Sequence, residues 1–471
     1  MPGRSWLAGL RSRLGAGARA DGLGILAFEA ATAMSRLVSL HRSLSDAEVR
    51  RLRADALRAE GVARLTSTDQ ALLLRLACGE LLADLDRAAD AAARLGARCR
   101  ATDAPPFLRD FDRVYADAKR GRLAQLDATV GFSRGAGKRF REMERHVEAT
   151  ARLYAEMDVL GELEASERRM EQWMRHSGPI PAQSAAPAAK RQAAEPGEKL
   201  MRELRAQRHK VRRLMETSLW SVDASKAAKL MAKSVLAVLA RISIAFGASV
   251  PGLPPLTTVG RGWALGHSSG PLHRAATPDA AALRHSAPIF RQKDDASPVS
   301  ESIKPSPSTV GGAGMELRYA NVISSAETLL AALRPAGDGD EVQQGIDLSR
   351  RDALYKMLPV AIRDAVNAKL RESWREQPAD EEAAAAARGA VESVLRWLGP
   401  MAHDTARWHD ERSMERAQRF SMRPRALMVQ TLHFADRQKA DAAIVDVLVG
   451  LSCVCRYDDE QRRLESLDWD E

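Results

Sequence analysis

The sequence predicts an all-α protein, two helical units joined by a long disordered linker. Three observations carry this. Aromatic residues make up only 5% of the chain while Ala, Leu and Arg abound, a composition that favours helices over sheets. Apolar residues recur at steps of three and four, which places them on one helix face. Residues 247–313 are rich in Pro, Gly, Ser and Thr without any period, and a stretch that long is a disordered linker or a tether.

Residues 1–21 form a basic tail, and 22–176 an N-terminal helical unit. Its first helix spans 22–44, with Leu26, Ala30, Ala33, Leu37, Leu40 and Leu44 as a packing seam. Ser45-Asp46-Ala47-Glu48 reads as a capping box opening the next helix, and Gly61 suits its end. A second box, Ser67-Thr68-Asp69-Gln70, opens a long helix through Leu72, Leu73, Leu76, Leu81 and Leu85. Pro105 and Pro106 break the chain before a helix carrying Phe107, Phe111 and Tyr115. From Lys138 to Met174 the pattern is heptad-like: Phe140, Met143, Val147, Thr150, Tyr154 and Met157 alternate by three and four, then slip at Leu160. So short a run favours packing on the N-terminal helices over a coiled-coil dimer.

Residues 177–197 have linker composition. The helices of 198–246 follow. The first is basic, with nine Lys/Arg and three Glu between Lys190 and Arg213 and with Leu204, Val211 and Leu214 along one side. The second, 226–246, is interrupted by Lys233 and Arg241 and is too short an apolar run to span a membrane, so it is buried or interface-seeking. Residues 314–458 form the C-terminal helical unit, and 459–471 a charged tail. In that unit Met401, Thr405 and Trp408 share a face, Arg407 can pair with Glu411, and Leu427, Thr431 and Phe434 read as a further helix after Pro424. The helix with Ile444, Val447, Leu448 and Leu451, filled out by Val445 and Val449, is apolar nearly all round and must be buried. No repeat of fixed period is visible.

The formal charge of +9 fits an acidic partner, nucleic acid or anionic lipid, as well as plain solubility. Four cysteines (Cys78, Cys99, Cys453 and Cys455) are too few for a disulfide framework. Cys453 and Cys455, one residue apart, lack the second ligand pair of a zinc site. Arg4, Arg11, Arg13 and Arg19 flank no apolar stretch of secretory type, so no signal peptide is expected. Trp6, Leu7, Leu10 and Leu14 with the arginines fit a frayed tail, a short interfacial helix or a transit peptide.

Several stretches are specific. LRYANVI (317–323), RRDALYKMLPVAIRDAV (350–366), WLGPMAHDTARWHDERS (397–413) and VQTLHFADRQKADAAIVDVLVGL (429–451) resemble the C-terminal domain of the plant phytosulfokine simulator family. GILAFEAATAMSRLVSLHRSLSDAEVRRLRADALRAEGV (24–62) and DQALLLRLACGEL (69–81) extend the resemblance to its N-terminal domain. Both domains were long catalogued as of unknown function. The resemblance implies growth regulation and no known reaction. Some members begin with a glycine that can be myristoylated; here Pro2 stands in that place and Gly3 follows it, so that anchor is not expected.

The strongest catalytic temptation is His403, Asp404, His409, Asp410 and Glu411, with His433 downstream. His403 and His409 are six apart, about 240° around a helix, so they point apart rather than converge on a metal. Gly22-Leu23-Gly24 and Gly311-Gly312-Ala313-Gly314 lack the rest of a phosphate-binding signature, and no nucleophile elbow is present. No enzyme activity, catalytic residue, cofactor, metal or small-molecule substrate is expected. Lys190, Arg191, Lys210, Arg212 and Arg213 form a candidate nuclear import signal, and without interleaved aromatics no sequence-specific nucleic acid is expected. Ser297 and Ser306 precede prolines and are candidate phosphosites. Asp410, Glu411 and Glu415 are the candidate interaction surface. The expected role is a non-enzymatic growth regulator acting through protein contacts, in the nucleus with a cytoplasmic fraction; its protein partners are not readable from the sequence. The alternative is a peripheral membrane or trafficking adaptor that binds anionic lipid through its basic and amphipathic helices.

Overall fold

The computed structural model describes residues 22–99, 105–176, 187–254, 304–333, 348–376, 380–412 and 419–468. Helix dominates. The first region comprises α1 (Leu26–Ser43), α2 (Asp46–Ala54), α3 (Glu60–Leu65), α4 (Gln70–Ala97), α5 (Pro106–Arg109), α6 (Phe111–Asp117), α7 (Leu123–Val130), α8 (Ala136–His176), α9 (Pro187–Thr217) and α10 (Ala224–Phe246). The second comprises α11 (Glu316–Ala332), α12 (Leu348–Met357), α13 (Val360–Glu376), α14 (Glu381–Arg412) and α15 (Arg437–Asp468). Among the described residues there is no strand, only two isolated bridges.

The seam of α1 lies as the pattern predicts: Ala30, Ala33, Leu37, Leu40 and Leu44 are buried, and Leu26 is partly so. The helix starts later than residue 22, because Gly22 to Gly24 pair instead with the 220–223 turn. Ser45 caps α2 by accepting from the Glu48 N–H. Asp69, rather than Ser67 or Thr68, caps α4, accepting from the Ala71 and Leu72 N–H groups. Gly61 does not end a helix. It lies within α3, where a Cβ would stand 2.5 Å from the Trp397 carbonyl, so its place is a close approach between the two regions.

The core face of α8 slips earlier than expected. Leu153, fully buried, takes the place that an unbroken heptad gives Tyr154, and the face continues through Met157, Leu160 and Glu164. The first half of α8 packs on α1, and its second half pairs with α9 around a small separate core of Leu153, Met157, Leu160, Leu204 and Val211. Helix α9 begins at Pro187, so 187–197 is helical rather than linker. Ala-rich sequence favours helix, and a proline in the first turn removes no intrahelical hydrogen bond. Helix α10 is buried on nearly every side, from Ala227 to Phe246. Its Arg241, 7% exposed, donates to the Leu44 carbonyl at 2.6 Å and pairs with Asp46.

The two regions are separated in sequence by 255–303, outside the described residues, yet they share one continuous hydrophobic core from Leu23 to Cys455. The expected linker is shorter than 247–313: its last residues dock. Val310 is fully buried and donates to the Ala435 carbonyl at 2.9 Å, and Gly311 donates to the His433 carbonyl at 3.0 Å. The helix expected through Leu427, Thr431 and Phe434 is instead two short 3-10 turns, Met428–Gln430 and Leu432–Phe434. Side chains hold that backbone, with Gln430 accepting from the Leu427 N–H and Thr431 from the His433 N–H.

The regions repeat one architecture. In the first, Thr150 on α8 accepts from the Leu219 N–H (3.3 Å), in a 3-10 turn that leads through Asp223, the cap of α10. In the second, Thr405 on α14 accepts from the Leu432 N–H (3.0 Å), in a 3-10 turn that leads through Asp436 into α15. Leu23 and Gly24 donate to the carbonyls of Val222 and Trp220; Val310 and Gly311 donate to those of Ala435 and His433. The local words match: Thr150-Ala151-Arg152 with Thr405-Ala406-Arg407, and Ser218-Leu219 to Val222-Asp223 with Thr431-Leu432 to Ala435-Asp436. The outer part of the α8–α9 hairpin has no counterpart among the described residues of the second region.

Candidate interaction site

The C-terminal half of α14 and the two turns after it close over α4, and charge concentrates where they meet. Glu80 and Asp84 lie one turn apart on α4, each 4% exposed. The Arg412 guanidinium donates to Glu80 Oε1, the Trp408 indole donates to the same oxygen at 3.0 Å, and the Met428 N–H donates to Oε2 at 2.5 Å. Burial pushes the Glu80 carboxyl up to about 7, against the pull of Arg412 and these donors. Arg412 also lies over the Trp408 ring, 4.4 Å from its centroid. Asp84 pairs with Arg87, and Arg36 and Arg425 stand close enough for its charge to act on both. Motif spacing does not single out Glu80 and Asp84. The available signal is their position: Glu80 falls four after Leu76 and three after Ala77, inside an apolar seam where a charge needs a partner.

The histidines part company as the helical angle requires. His403 meets Glu327 at 2.6 Å. His409 and His433 instead flank Glu316, at 3.6 and 3.5 Å. Burial lowers the His433 pKa below its ordinary value, with the Glu316 carboxylate opposing. Among the described residues no group of His, Cys, Asp and Glu is placed to hold a metal ion. In the first region the corresponding place is aromatic: Phe28 packs edge-on against Tyr154 and Trp220.

Of the expected surface, Asp410 is exposed. Glu411 is not a free surface charge. It accepts from the Ala426 N–H at 2.8 Å and pairs with Arg407, and its carboxyl is raised by burial. A carboxylate that can satisfy a backbone N–H is drawn into the fold, which is why this residue leaves the interaction surface. Glu415 lies outside the described residues. Asp404 pairs with Arg407. In the basic run, Lys210 pairs with Glu156 at 2.7 Å, and Arg212 and Arg213 are exposed. Lys190 and Arg191 fall on α9, and their side chains lie outside the described residues. Ser306 sits in a turn, half-buried, its hydroxyl 3.0 Å from that of Ser308; Ser297 lies outside the described residues. Among the described residues no helix is long and apolar enough to cross a membrane. A cavity of about 740 Å³ opens between α12, α13 and α15, lined by Leu354, Leu358, Val366, Leu448 and Leu451.

Two family models match: a domain of unknown function, DUF3475, over residues 25–81, and a protein of unknown function, DUF668, over residues 309–407. The chain is 25% identical over 438 residues to Protein PSK SIMULATOR 1 of Arabidopsis thaliana, covering 91% of this chain and 55% of that protein. It is 24% identical to PSK SIMULATOR 3 (93% and 57%) and 23% identical to PSK SIMULATOR 2 (96% and 62%), both of the same plant. The chain thus spans little more than half the length of these relatives. No solved structure matches.

Proposed function

For a chain homologous to the PSK SIMULATOR proteins over more than nine tenths of its length, and matching both family models in order, we propose a regulatory role in plant growth related to phytosulfokine, exerted through protein contacts rather than catalysis. That homology carries the reading. The chemistry of the charged motif supports its non-catalytic half. Both oxygens of Glu80 accept from the chain's own donors, His403 is held by Glu327, and Glu411 is bound to the Ala426 backbone.

The contact surface is assigned to exposed charge: Asp410 on α14 and the arginines of α9. Charge reversal at Asp410 is expected to leave the unfolding midpoint unchanged while weakening growth rescue in plants lacking the relatives. Glu411→Lys is expected to lower the midpoint, since it orphans the Ala426 N–H. Full rescue by Asp410→Lys removes this surface from the proposal.

Nuclear residence with a cytoplasmic fraction is proposed from the basic run. Replacing Lys210, Arg212 and Arg213 with Gln should reduce nuclear accumulation of a fluorescent fusion, and unchanged accumulation would rule the run out as the signal. Of the two helices of 198–246, the lipid alternative rests on α9, because the apolar face of α10 is buried in the core. Vesicle flotation at low and high salt separates the two readings.

A further inference from the structure

Around Asp84, among the described residues, arginines outnumber the carboxylates that face them. Arg36 comes from α1, Arg87 from α4, Arg412 from the end of α14, and Arg425 from the segment that runs back along α1. That segment is fixed there: Ser39 donates to the Arg423 carbonyl at 2.6 Å, and Arg42 to the Met422 carbonyl at 2.9 Å. Among the described residues three carboxylates act on the four guanidiniums, Glu80, Asp84 and Glu411. Glu80 is taken by Arg412, and Asp84 by Arg87. Glu411 also acts on Arg425 but is held by Arg407 and the Ala426 N–H.

Arg36 and Arg425 are left over. Each is half-buried, and the buried Nε of each has no hydrogen-bond partner among the described residues. Each also feels the repulsion of the other cations of the cluster, and burial together with this repulsion lowers both pKa values. A guanidinium is a rigid fork of five N–H donors, and leaving it partly desolvated and unpaired is costly. The fold nonetheless holds two of them together, beside an exposed Arg87 that marks the side open to solvent.

We propose that Arg36 and Arg425, together with the exposed Arg87 and the more buried Arg412 around Asp84, form a receptor for a phosphate monoester dianion. Two negative charges match the two left-over guanidiniums, and a phosphoryl group offers the acceptor oxygens for paired N–H forks. The same chemistry is carried by a small polyphosphorylated solute and by a phosphoserine side chain.

The test uses the full chain, with calorimetric titration and thermal unfolding at constant ionic strength set by chloride. The probes are inositol hexakisphosphate, a phosphoserine peptide and its unphosphorylated twin. Saturable binding at one site and a raised unfolding midpoint are expected with at least one phosphorylated probe. Which probe binds identifies the source: the solute alone points to a small ligand, the phosphopeptide alone to a phosphoprotein.

Arg36→Gln and Arg425→Gln should each weaken binding at least tenfold. Without ligand these variants should unfold at or above the wild-type midpoint, because each removes a half-buried cation that has no hydrogen-bonded carboxylate among the described residues. Arg36→Lys keeps the charge, loses the fork and should bind at intermediate strength. Arg168→Gln/Arg169→Gln removes the same charge from the exposed outer half of α8 and should bind like wild type. The proposal is overturned if no phosphorylated probe binds saturably. Wild-type binding by the Arg36 and Arg425 variants, or equal loss in the α8 control, also overturns it, the second by reducing the effect to net charge.

Discussion

Stacked face to face on Phe140 with ring centroids 3.8 Å apart, His41 is an imidazole kept neutral by its surroundings. Burial and the nearby Arg241 lower its pKa from 6.5 to about 4, against the pull of Glu144. The unfolded chain binds this proton at a pH where the folded chain refuses it, so stability falls as pH falls. The contribution is complete above pH 6.5, is lost progressively down to about pH 4, and is constant below. A difference of that size amounts to about 3 kcal/mol. Urea unfolding of wild type and His41→Phe across a range from about pH 7.5 to about pH 4 isolates it. The variant should lose this part of the acid dependence, and parallel curves would contradict the assignment. Sequence patterning places Phe140 in the core but carries no sign that His41 covers it, since a histidine at the edge of a seam reads equally well as surface. Glu411 misleads for the mirror reason. Its neighbours in sequence are charged, and only the return of the chain to Ala426 makes it structural.

At the level of elements, the two threonine clasps are the feature that makes the regions alike. Each threonine hydroxyl also donates within its own helix, Thr150 to the His146 carbonyl and Thr405 to the Met401 carbonyl, so both lone-pair and proton roles are filled. Thr405→Val keeps shape and removes the acceptor, leaving the Leu432 N–H buried and unpaired. A loss of about 1–3 kcal/mol is expected in urea unfolding. Thr150→Val should cost less, because its contact with the Leu219 N–H is longer, 3.3 against 3.0 Å. Equal stability of Thr405→Val and wild type would show that the clasp is incidental. The hairpin hides this duplication from any fixed period: Thr150 and Leu219 are far apart in sequence, Thr405 and Leu432 close. Helix identity is legible because periodicity is local, as the seam of α1 and the burial of α15 show. The 3-10 turns are not, because what holds them comes from a helix elsewhere in the chain.

For the whole molecule the central question is whether the two regions are separable. Composition suggests that a cut between them would release an intact C-terminal unit, since a linker-like stretch joins two seams of helices. The contacts argue otherwise. The Asp436 N–H, at the start of α15, donates to the Leu65 carbonyl at 2.7 Å; Gly61 lies against Trp397; and Glu80 is buried under Arg412, Trp408 and Met428. Removing either region would expose the shared core and leave Glu80 or Arg412 without its partner, which for a buried ion pair costs about 3–5 kcal/mol. A specific protease site placed within residues 255–303 should therefore yield two fragments that co-elute as one particle and unfold in a single transition. The fragment from residue 304 onward, expressed alone, should lose the cooperative transition that the nicked protein keeps. Clean separation of two folded fragments under native conditions would show that each region closes its own core, and that the Glu80–Arg412 seam is a docked surface rather than the interior of one fold.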